Sequence, residues 1–408
     1  MTDLGPNGAQ LREHQLNESC KVKKNPEHKI ETKLAQLGRD PNSHEGFVNP
    51  PIQRGSTVLF DNPADLYRKD IKTYGLEGAS TQDRLCSALT EIMGGVGTIL
   101  CPSGLSAITL VLLGLTKSGD HVLVCDSAYG PTRRFCDEVL AKYGVETTYY
   151  PPSVGTEIGA FIKPNTVLIM LESPGSITME LQDIPAIVKV AKAKGIVTAI
   201  DDTWSAGVYF KPLAIGVDIS IQALTKYQSG HSDVLAGSVT TNNEELLARL
   251  LDMHLALGIG TSAEDAWLCL RGLRTMAVRL AHQDQTARKI ASWLETREEV
   301  ERVLHPALPS SPDNAIWQRD FTGAGGLFSF ILKPVGKAKI YAMLEAFEIF
   351  AMGFSWGGYE SLVLYCDPQI KRSAVKWTEN GHLIRLAIGL ENVDDLIADL
   401  DRALEALK

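Results

Sequence analysis

Short apolar runs alternate with amphipathic stretches in the middle of the 408-residue chain, from about residue 95 to about residue 240. The runs are apolar at nearly every position, whereas the stretches between them, such as 131–143 and 184–194, repeat apolar residues at the helical period. Strands that are apolar throughout are typical of a parallel sheet with helices on both faces. We therefore predict an α/β fold with a mostly parallel central sheet, whose strands are 98–101, 122–125, 166–171, 197–200, 219–223 and 237–240.

The pattern changes after about residue 270. A long helix is predicted for 273–295, an apolar strand for 325–332, and an amphipathic helix for 393–407, where apolar residues recur at the helical period. We therefore expect four regions, which are a mobile polar tail at 1–30, an N-terminal arm at 31–78, an α/β domain at 79–272 and a smaller α+β domain at 273–408.

Composition and charge restrict the class of function. The net charge is −9 and no block of basic residues is present, which disfavours binding to nucleic acid or to an anionic membrane surface. No apolar run reaches the roughly 18–20 residues of a membrane span, and the first ~25 residues contain no apolar segment of a secretory signal. Seven cysteines without C-x-x-C spacing favour neither a zinc site nor a disulfide framework. We expect a protein of the reducing cytoplasm that binds no metal.

Three segments at the carboxyl ends of predicted strands carry candidate chemistry, since ligands bind at that edge of an open α/β sheet. Residues 102–107 (PSGLSA) join a strand to a helix, and the free N–H groups of a helix start can bind a phosphate. Asp201 directly follows the strand at 197–200, and a buried carboxylate needs a partner. Lys226 follows the strand at 219–223, where a lysine is unusual unless it is paired or used chemically.

Each segment alone also has an ordinary structural interpretation: a plain strand–helix turn, a helix cap or salt bridge at Asp201, and a lysine that extends to solvent. Together they provide a phosphate cradle, a carboxylate for a ring nitrogen and an amine for a Schiff base, which pyridoxal 5′-phosphate (PLP) requires. The carboxylate keeps the pyridine nitrogen protonated. The lysine holds the aldehyde until the substrate amine displaces it, and then acts as a base at Cα.

The chain resembles the Cys/Met-metabolism family of PLP-dependent enzymes from about Lys33 to its C-terminus. The most specific stretches are 171–176 (LESPGS), 223–233 (ALTKYQSGHSD), 321–330 (FTGAGGLFSF), 355–360 (SWGGYE) and 384–391 (IRLAIGLE). The resemblance implies PLP-dependent transferase fold type I, the fold of aspartate aminotransferase. It also implies a homotetramer of two catalytic dimers, with the arm at 31–78 against a neighbouring subunit.

The resemblance assigns roles to residues of this sequence. Lys226 is expected to bind PLP covalently, Asp201 to pair with its ring nitrogen and Tyr129 to stack on its ring. Tyr74 is expected to reach the site from a neighbouring subunit. The remaining implied contacts are to the phosphate, from Gly104, Leu105 and Thr225, and to the substrate α-carboxylate, from Arg385 with help from Ser355 and Trp356.

The implied activity is β-elimination at a carbon–sulfur bond, in which cystathionine gives homocysteine, pyruvate and ammonia. Cysteine S-conjugates as substrates, and γ-elimination, γ-replacement or racemisation on the same cofactor, remain alternatives. A non-catalytic PLP-binding regulator is disfavoured, because Lys226, Asp201 and Arg385 are all present and a basic DNA-binding segment is not.

The chain departs from the family pattern at residues 74–77, at His254 and at Ala223, where the wider family commonly has a phosphate-binding serine. Relatives usually have Tyr-x-Arg where this chain has residues 74–77 (YGLE), so the arginine that would bind phosphate or a distal substrate carboxylate is missing. His254 stands where lyases of the family tend to have a tyrosine near the site. We therefore expect intact PLP chemistry with an altered preference for the group beyond the substrate sulfur.

Overall fold

The computed structural model describes residues 28–68 and 70–408. Most of the tail predicted at 1–30 therefore lies outside the described residues. Two β-sheets organise the described part of the chain, a seven-stranded sheet within residues 97–241 and a five-stranded sheet within residues 300–387. No helix in this part of the chain is long and apolar enough to cross a membrane.

The larger sheet confirms the predicted mostly parallel arrangement. Its strands are β1 (Gly97–Cys101), β2 (His121–Cys125), β3 (Glu146–Tyr150), β4 (Thr166–Glu172), β5 (Val197–Asp201), β6 (Ile219–Gln222) and β7 (Gly237–Thr241). They lie in the order β1-β7-β6-β5-β4-β2-β3, and only β7 runs antiparallel to its neighbours. Each of the six predicted strands is present, with ends shifted by at most one residue. Strand β3 was not predicted, because it lies at the edge of the sheet and its sequence, ETTYY, is not an apolar run.

The helices are α1 (Ile30–Gln36), α2 (Ser80–Met93), α3 (Gly104–Leu115), α4 (Gly130–Glu138), α5 (Ile184–Ala193), α6 (Glu244–Ala256), α7 (Ala263–Leu294), α8 (Asn314–Asp320), α9 (Lys337–Glu345) and α10 (Val393–Glu405). Short 3₁₀ helices occupy Pro41–Ser43, Pro63–Asp65, Gly75–Glu77, Leu140–Tyr143, Pro152–Phe161 and Asp367–Gln369.

Successive residues of the central strands pack into different cores. In β4, Leu168 and Met170 pack with residues of α3 and α6, whereas Ile169 and Leu171 pack with residues of α5. Because both faces of the sheet are covered, neither set of alternate positions can be polar. This is the physical reason for the continuous apolar runs in the sequence.

The long helix α7 begins at Ala263, earlier than the residue 273 predicted from the apolar pattern. Its start is fixed by Ser262, whose side chain accepts the Asp265 N–H, and by two acidic residues in the first turn. The position predicted to divide the two domains, between residues 272 and 273, falls inside α7. The division into domains stays a prediction.

The smaller sheet contains β8 (Val300–Leu304), β9 (Leu327–Leu332), β10 (Ala351–Met352), β11 (Leu362–Tyr365) and β12 (His382–Ala387). Its order is β10-β11-β12-β9-β8, and the pairs β8–β9, β9–β12 and β11–β12 are antiparallel. One face packs on α7, α9 and α10. On the other side, Leu327 and Ala387 share a core with Trp204, which lies just beyond β5. The smaller sheet is thereby packed against the carboxyl edge of the larger one.

Asp126 provides a polar link between the two parts of the chain. It follows β2, and its carboxylate accepts the N–H groups of Ser373, Ala374 and Val375 at 2.9, 3.0 and 2.9 Å. It also forms an ion pair with Arg133 of α4. Although burial opposes ionisation, the three backbone donors hold the pKa of Asp126 below its usual value. The segment that leads to β12 is therefore fixed beside the start of α4.

Candidate active site

The carboxyl ends of β4, β5 and β6 lie side by side and carry three ionisable side chains. Glu172 ends β4 and is paired in register with Asp201, which ends β5. Lys226 lies in the turn after β6 and interacts electrostatically with Asp201. The carboxylate and the lysine that the sequence analysis selected from separate strands are therefore neighbours in the fold, at the edge where ligands bind α/β sheets.

The environment of Lys226 favours an uncharged amine. Nζ donates to Ser355 Oγ at 2.5 Å and lies 5.3 Å from the centre of the Trp356 ring. Burial, and then the nearby Arg385, lower the pKa of Lys226 to about 8 against the opposing effect of Asp201. A lysine with this pKa presents a sizeable fraction of unprotonated, nucleophilic amine near neutral pH.

Asp201 is a partly buried carboxyl with no cation in hydrogen-bond contact among the described residues. Its Oδ1 accepts the Thr203 N–H at 3.1 Å and the Thr203 hydroxyl at 2.5 Å. Burial raises the pKa of Asp201, and the two bonds from Thr203 offset only part of that effect. A protonated ring nitrogen would supply the missing positive partner, which is the role the sequence analysis assigned to this residue.

Glu172 is a candidate that the sequence analysis missed. Its Oε2 accepts the Tyr129 N–H at 2.7 Å, so it holds the residue that precedes α4. Burial, and then the neighbouring Asp201, raise the pKa of Glu172 well above the usual carboxyl range. The signal that selected Asp201, an acidic residue at the end of an apolar strand, was also present here.

Tyr129 lies beside this carboxyl pair. Its side chain is 43% exposed and interacts electrostatically with Asp201, Glu172 and Arg385. Burial of the phenol and the nearby Asp201 raise the pKa of Tyr129, so the phenol stays neutral near pH 7. An accessible aromatic ring next to the carboxylate that would bind a ring nitrogen suits a stacking role.

Arg385 of the smaller sheet and the nearby Ser355 lie beside Lys226. Arg385 lies in β12 and is 8% exposed, and its Nη2 donates to the Ser355 carbonyl at 2.9 Å. Since Ser355 Oγ also binds Lys226, this one serine contacts both the amine and the guanidinium. Its backbone has φ of 78°, which is uncommon for a residue other than glycine and is typical of functional sites. Trp356 packs against Tyr227 with ring centres 5.4 Å apart.

The predicted phosphate cradle lies at the start of α3. Ser103 Oγ accepts the Ser106 N–H, whereas the amides of Gly104 and Leu105 donate to no protein acceptor in the described ranges. A Cβ at Gly104 would lie 2.5 Å from Ala223 Cβ, so the helix start approaches the turn after β6 too closely for any other residue. The Thr225 hydroxyl exchanges hydrogen bonds with Ala236, at 3.1 and 3.2 Å, and its contact with phosphate stays a prediction.

Tyr74 and His254, the two remaining residues that the sequence singled out, have their contacts elsewhere in the single chain. Tyr74 is 57% exposed, and within the described residues it forms no hydrogen bond or ring contact with Lys226, Asp201 or Arg385. Its contribution from a neighbouring subunit stays a prediction. His254 is buried in α6, and its Nε2 donates to the Leu100 carbonyl at 3.0 Å, so its ring supports β1.

The residues present fit PLP. The structure brings an amine of lowered pKa, a partly buried carboxyl without a hydrogen-bonded cation, an accessible aromatic ring and free amides at a helix start to one edge of the larger sheet. These four groups match the aldehyde, the ring nitrogen, the ring face and the phosphate of PLP. Lys226, Asp201, Tyr129, Gly104 and Leu105 are therefore the residues that would hold it.

Comparison with known proteins agrees with this geometry. The family model described as Cys/Met metabolism PLP-dependent enzyme matches residues 31–405. A putative cystathionine β-lyase of Rhizobium johnstonii is 50% identical over 382 residues, which cover 92% of this chain and 96% of its own. A cystathionine β-lyase of Escherichia coli is 42% identical over 385 residues, covering 91% and 97%. The solved structure of a cystathionine γ-synthase from Xanthomonas oryzae, in complex with aminoacrylate and cysteine, has a TM-score of 0.86 and 31% identity, and the match covers 93% of this chain and 98% of that one.

The first prediction concerns the covalent site. Borohydride reduction of the PLP-loaded enzyme should fix the cofactor to Lys226, and Lys226→Ala should abolish this attachment and lower turnover by several orders of magnitude, because both the imine and the Cα base are lost. Peptide mapping by mass spectrometry measures the attachment.

A matched control is Lys211→Met. Lys211 is also partly buried, and burial lowers its pKa to about 8, but its Nζ donates to the carbonyls of Ile92 and Gly207. This variant should keep the label on Lys226. Attachment of the cofactor to Lys211 in the native enzyme would refute the assignment.

The second prediction concerns the α-carboxylate. Arg385→Lys should lower kcat/KM by about 10- to 100-fold, because a point-charge ammonium cannot replace a bidentate guanidinium. Steady-state kinetics measures this ratio. Arg319→Lys, which alters an ion pair with Asp183 away from the site, should leave it unchanged. An Arg385→Lys enzyme with native kcat/KM would mean that the substrate carboxylate binds elsewhere.

Proposed function

This chain belongs to the Cys/Met metabolism family of PLP-dependent enzymes, and on that premise we propose that it is a carbon–sulfur β-lyase that converts cystathionine to homocysteine, pyruvate and ammonia. The observation that carries the proposal is the bridge at Ser355, which binds the Lys226 amine through its hydroxyl and the Arg385 guanidinium through its carbonyl. An amino acid whose α-carboxylate is bound by Arg385 has its Cα close to Lys226.

The residues of the site divide the reaction between them. Arg385 binds and orients the α-carboxylate of the substrate. Lys226 is placed to remove the Cα proton of the substrate, and its pKa of about 8 suits a base that works near neutral pH. Asp201 stabilises a positive ring nitrogen. When bound, PLP supplies a ring that takes up the electrons released from Cα. The Cβ–S bond then breaks, the sulfur leaves as a thiol, and the remaining three-carbon fragment is hydrolysed to pyruvate and ammonia.

The assembly is part of the proposal. We propose a homotetramer of two catalytic dimers in the cytoplasm, in which Tyr74 of one chain completes the site of another. The arm supports this, since several of its large apolar side chains are strongly exposed in the single chain: Phe47 at 70%, Leu59 at 90% and Tyr67 at 90%. Exposed apolar side chains concentrated on one segment are typical of a surface that a second chain covers.

The test of the reaction is the identity of the keto acid. The purified PLP-loaded enzyme is incubated with cystathionine, with cystine and with several cysteine S-conjugates, and the products are separated by chromatography. We expect pyruvate in each reaction that proceeds. Formation of 2-oxobutyrate from cystathionine would identify γ-elimination, and D-amino acids without keto acid would identify racemisation. Either result would replace the proposal.

A second candidate, a lyase that prefers cysteine S-conjugates with a neutral or cationic distal group, is supported by the segment around Leu76. The Glu77 carboxylate accepts the N–H groups of Thr73 and Tyr74 at 2.8 and 3.2 Å, so it stabilises the turn in which it lies. The nearby described cations are each engaged by carboxylates: Arg68 with Asp65 and Asp70, Lys72 with Asp83, and Arg84 with Asp40. A distal carboxylate of the substrate therefore meets no spare positive charge from these residues.

The third prediction follows from this segment. Leu76→Arg should raise the ratio of kcat/KM for cystathionine to that for S-alkyl cysteines by roughly tenfold, which corresponds to ~1.4 kcal/mol for one gained charged contact. Steady-state kinetics on both substrates measures the ratio. Ile215→Arg, an added arginine at another partly exposed position, controls for charge alone. A native enzyme that already strongly prefers cystathionine, together with an unchanged ratio in Leu76→Arg, would eliminate this second candidate.

A further inference from the structure

Asp202 is a buried carboxyl that the reaction described above does not use. It directly follows Asp201 but has different neighbours, since successive side chains of an extended strand point to opposite faces. It is 1% exposed, and it accepts the Ser205 hydroxyl at Oδ1 and the Gln222 amide at Oδ2, the latter at 3.3 Å.

The contacts of Asp202 continue toward Lys226. Gln222 is the last residue of β6, and its Oε1 accepts the Gln228 Nε2–H at 2.6 Å. Gln228 lies two residues after Lys226 in the same turn. Gln222 and Gln228 are 2% and 0% exposed. A buried side-chain relay of Asp202, Gln222 and Gln228 therefore joins the end of β5 to the turn that carries the reactive amine.

The charges around Asp202 do not compensate an ionised carboxylate. On β5 its charged neighbour is Asp201, of the same sign. On β6 its neighbour is the uncharged Gln222, whose amide also contacts Met93 of α2. In the segment after β5 the cation is Lys211, but its Nζ donates to the carbonyls of Ile92 and Gly207. Burial, with a smaller contribution from Asp201, raises the pKa of Asp202 to about 8, although Ser205, Gln222 and Lys211 oppose the rise.

We propose that Asp202 is a positioning residue that works as an uncharged carboxylic acid, holding Gln222 and Gln228 and through them the turn of Lys226. Ionisation of Asp202 would place a second buried negative charge beside Asp201, close to the turn of Lys226. The proposal rests on Lys226 being the reactive amine of the proposed function. It adds that the lyase activity declines at alkaline pH. It is independent of which thioether is the substrate.

The first test uses an isosteric pair of variants in the PLP-loaded enzyme. Asp202→Asn is uncharged at every pH and keeps the shape of the side chain, so it should retain kcat/KM at pH 7 to within about threefold, whereas Asp202→Ala removes the relay and should lose tenfold or more. The assay uses whichever thioether the native enzyme cleaves. An Asp202→Asn enzyme as inactive as Asp202→Ala would show that the charge is required, and would overturn the proposal.

The pH profile separates positioning from a merely structural role. In the native enzyme kcat/KM should decline above about pH 8 as Asp202 ionises, and in Asp202→Asn this decline should move to higher pH. Asp218→Asn, which changes a partly buried aspartate just before β6, is the matched control and should keep the native profile. A profile of Asp202→Asn that coincides with the native one would refute the titration of this carboxyl.

A second readout needs no substrate. Because the pKa of Asp202 is raised in the folded state, the folded chain binds one more proton than the unfolded chain between about pH 4 and pH 8, so stability falls as pH rises through this window. The melting temperature of Asp202→Asn minus that of the native enzyme should therefore increase from pH 5 to pH 8 and then level off. A difference that does not vary with pH would overturn the uncharged state even if the lyase activity is confirmed. Conversely, a rising difference supports it even if cystathionine is not cleaved.

Discussion

The free-energy cost of burying charge at the carboxyl edge of the larger sheet shapes the whole site. The strands that end there are covered on both faces, so Glu172, Asp201 and Lys226 become partly buried when the chain folds. Burial raises the pKa of both carboxyls and lowers that of the lysine, and each change disfavours the charged form. Attraction between Asp201 and Lys226 offsets part of the cost. The remainder is relieved by a ligand that brings a cationic ring nitrogen and an anionic phosphate, which makes the edge a binding site as well as a reactive one.

The smaller sheet contributes by placing one cation accurately. In β12, Ile384 and Leu386 pack into the core formed with α7, α9 and α10, so Arg385 between them must face the other way, toward the larger sheet. Its register with Ser329 of β9 and Leu364 of β11 fixes its position along the strand. A slip of one residue would turn Arg385 into the apolar core, which the pattern of β12 excludes. The alternation of apolar and polar residues in β12 therefore places the guanidinium where Ser355 contacts both Arg385 and Lys226.

Local sequence signals predicted the part of the site that belongs to single strands. Asp201 and Lys226 were found because a polar residue interrupts the chain where an apolar run ends, and the same signal would have found Glu172. The edge strand β3 and the true start of α7 were missed, because β3 is polar and the cap at Ser262 lies outside the apolar period. Contacts between distant segments carry no such signal. The bridge from Lys226 to Ser355 spans 129 residues, and only the resemblance to a family placed Ser355 and Arg385 near the lysine.

Under the proposed function, the chemistry belongs to the two packed sheets and the preference for the distal group belongs to the arm, so the arm can differ from the family pattern while the centre does not. Asp201, Lys226 and Arg385 are fixed by the two packed sheets, where a change of charge or size disturbs several neighbours. Residues 74–77 form a short turn on the arm, held by the Glu77 carboxylate and by one bridge between Tyr74 and Thr57. Substitutions in such a turn alter what the arm offers to a substrate without altering the register of either sheet. On the proposed function, a change in this turn would alter the group accepted beyond the substrate sulfur while the mechanism at Cα stays the same.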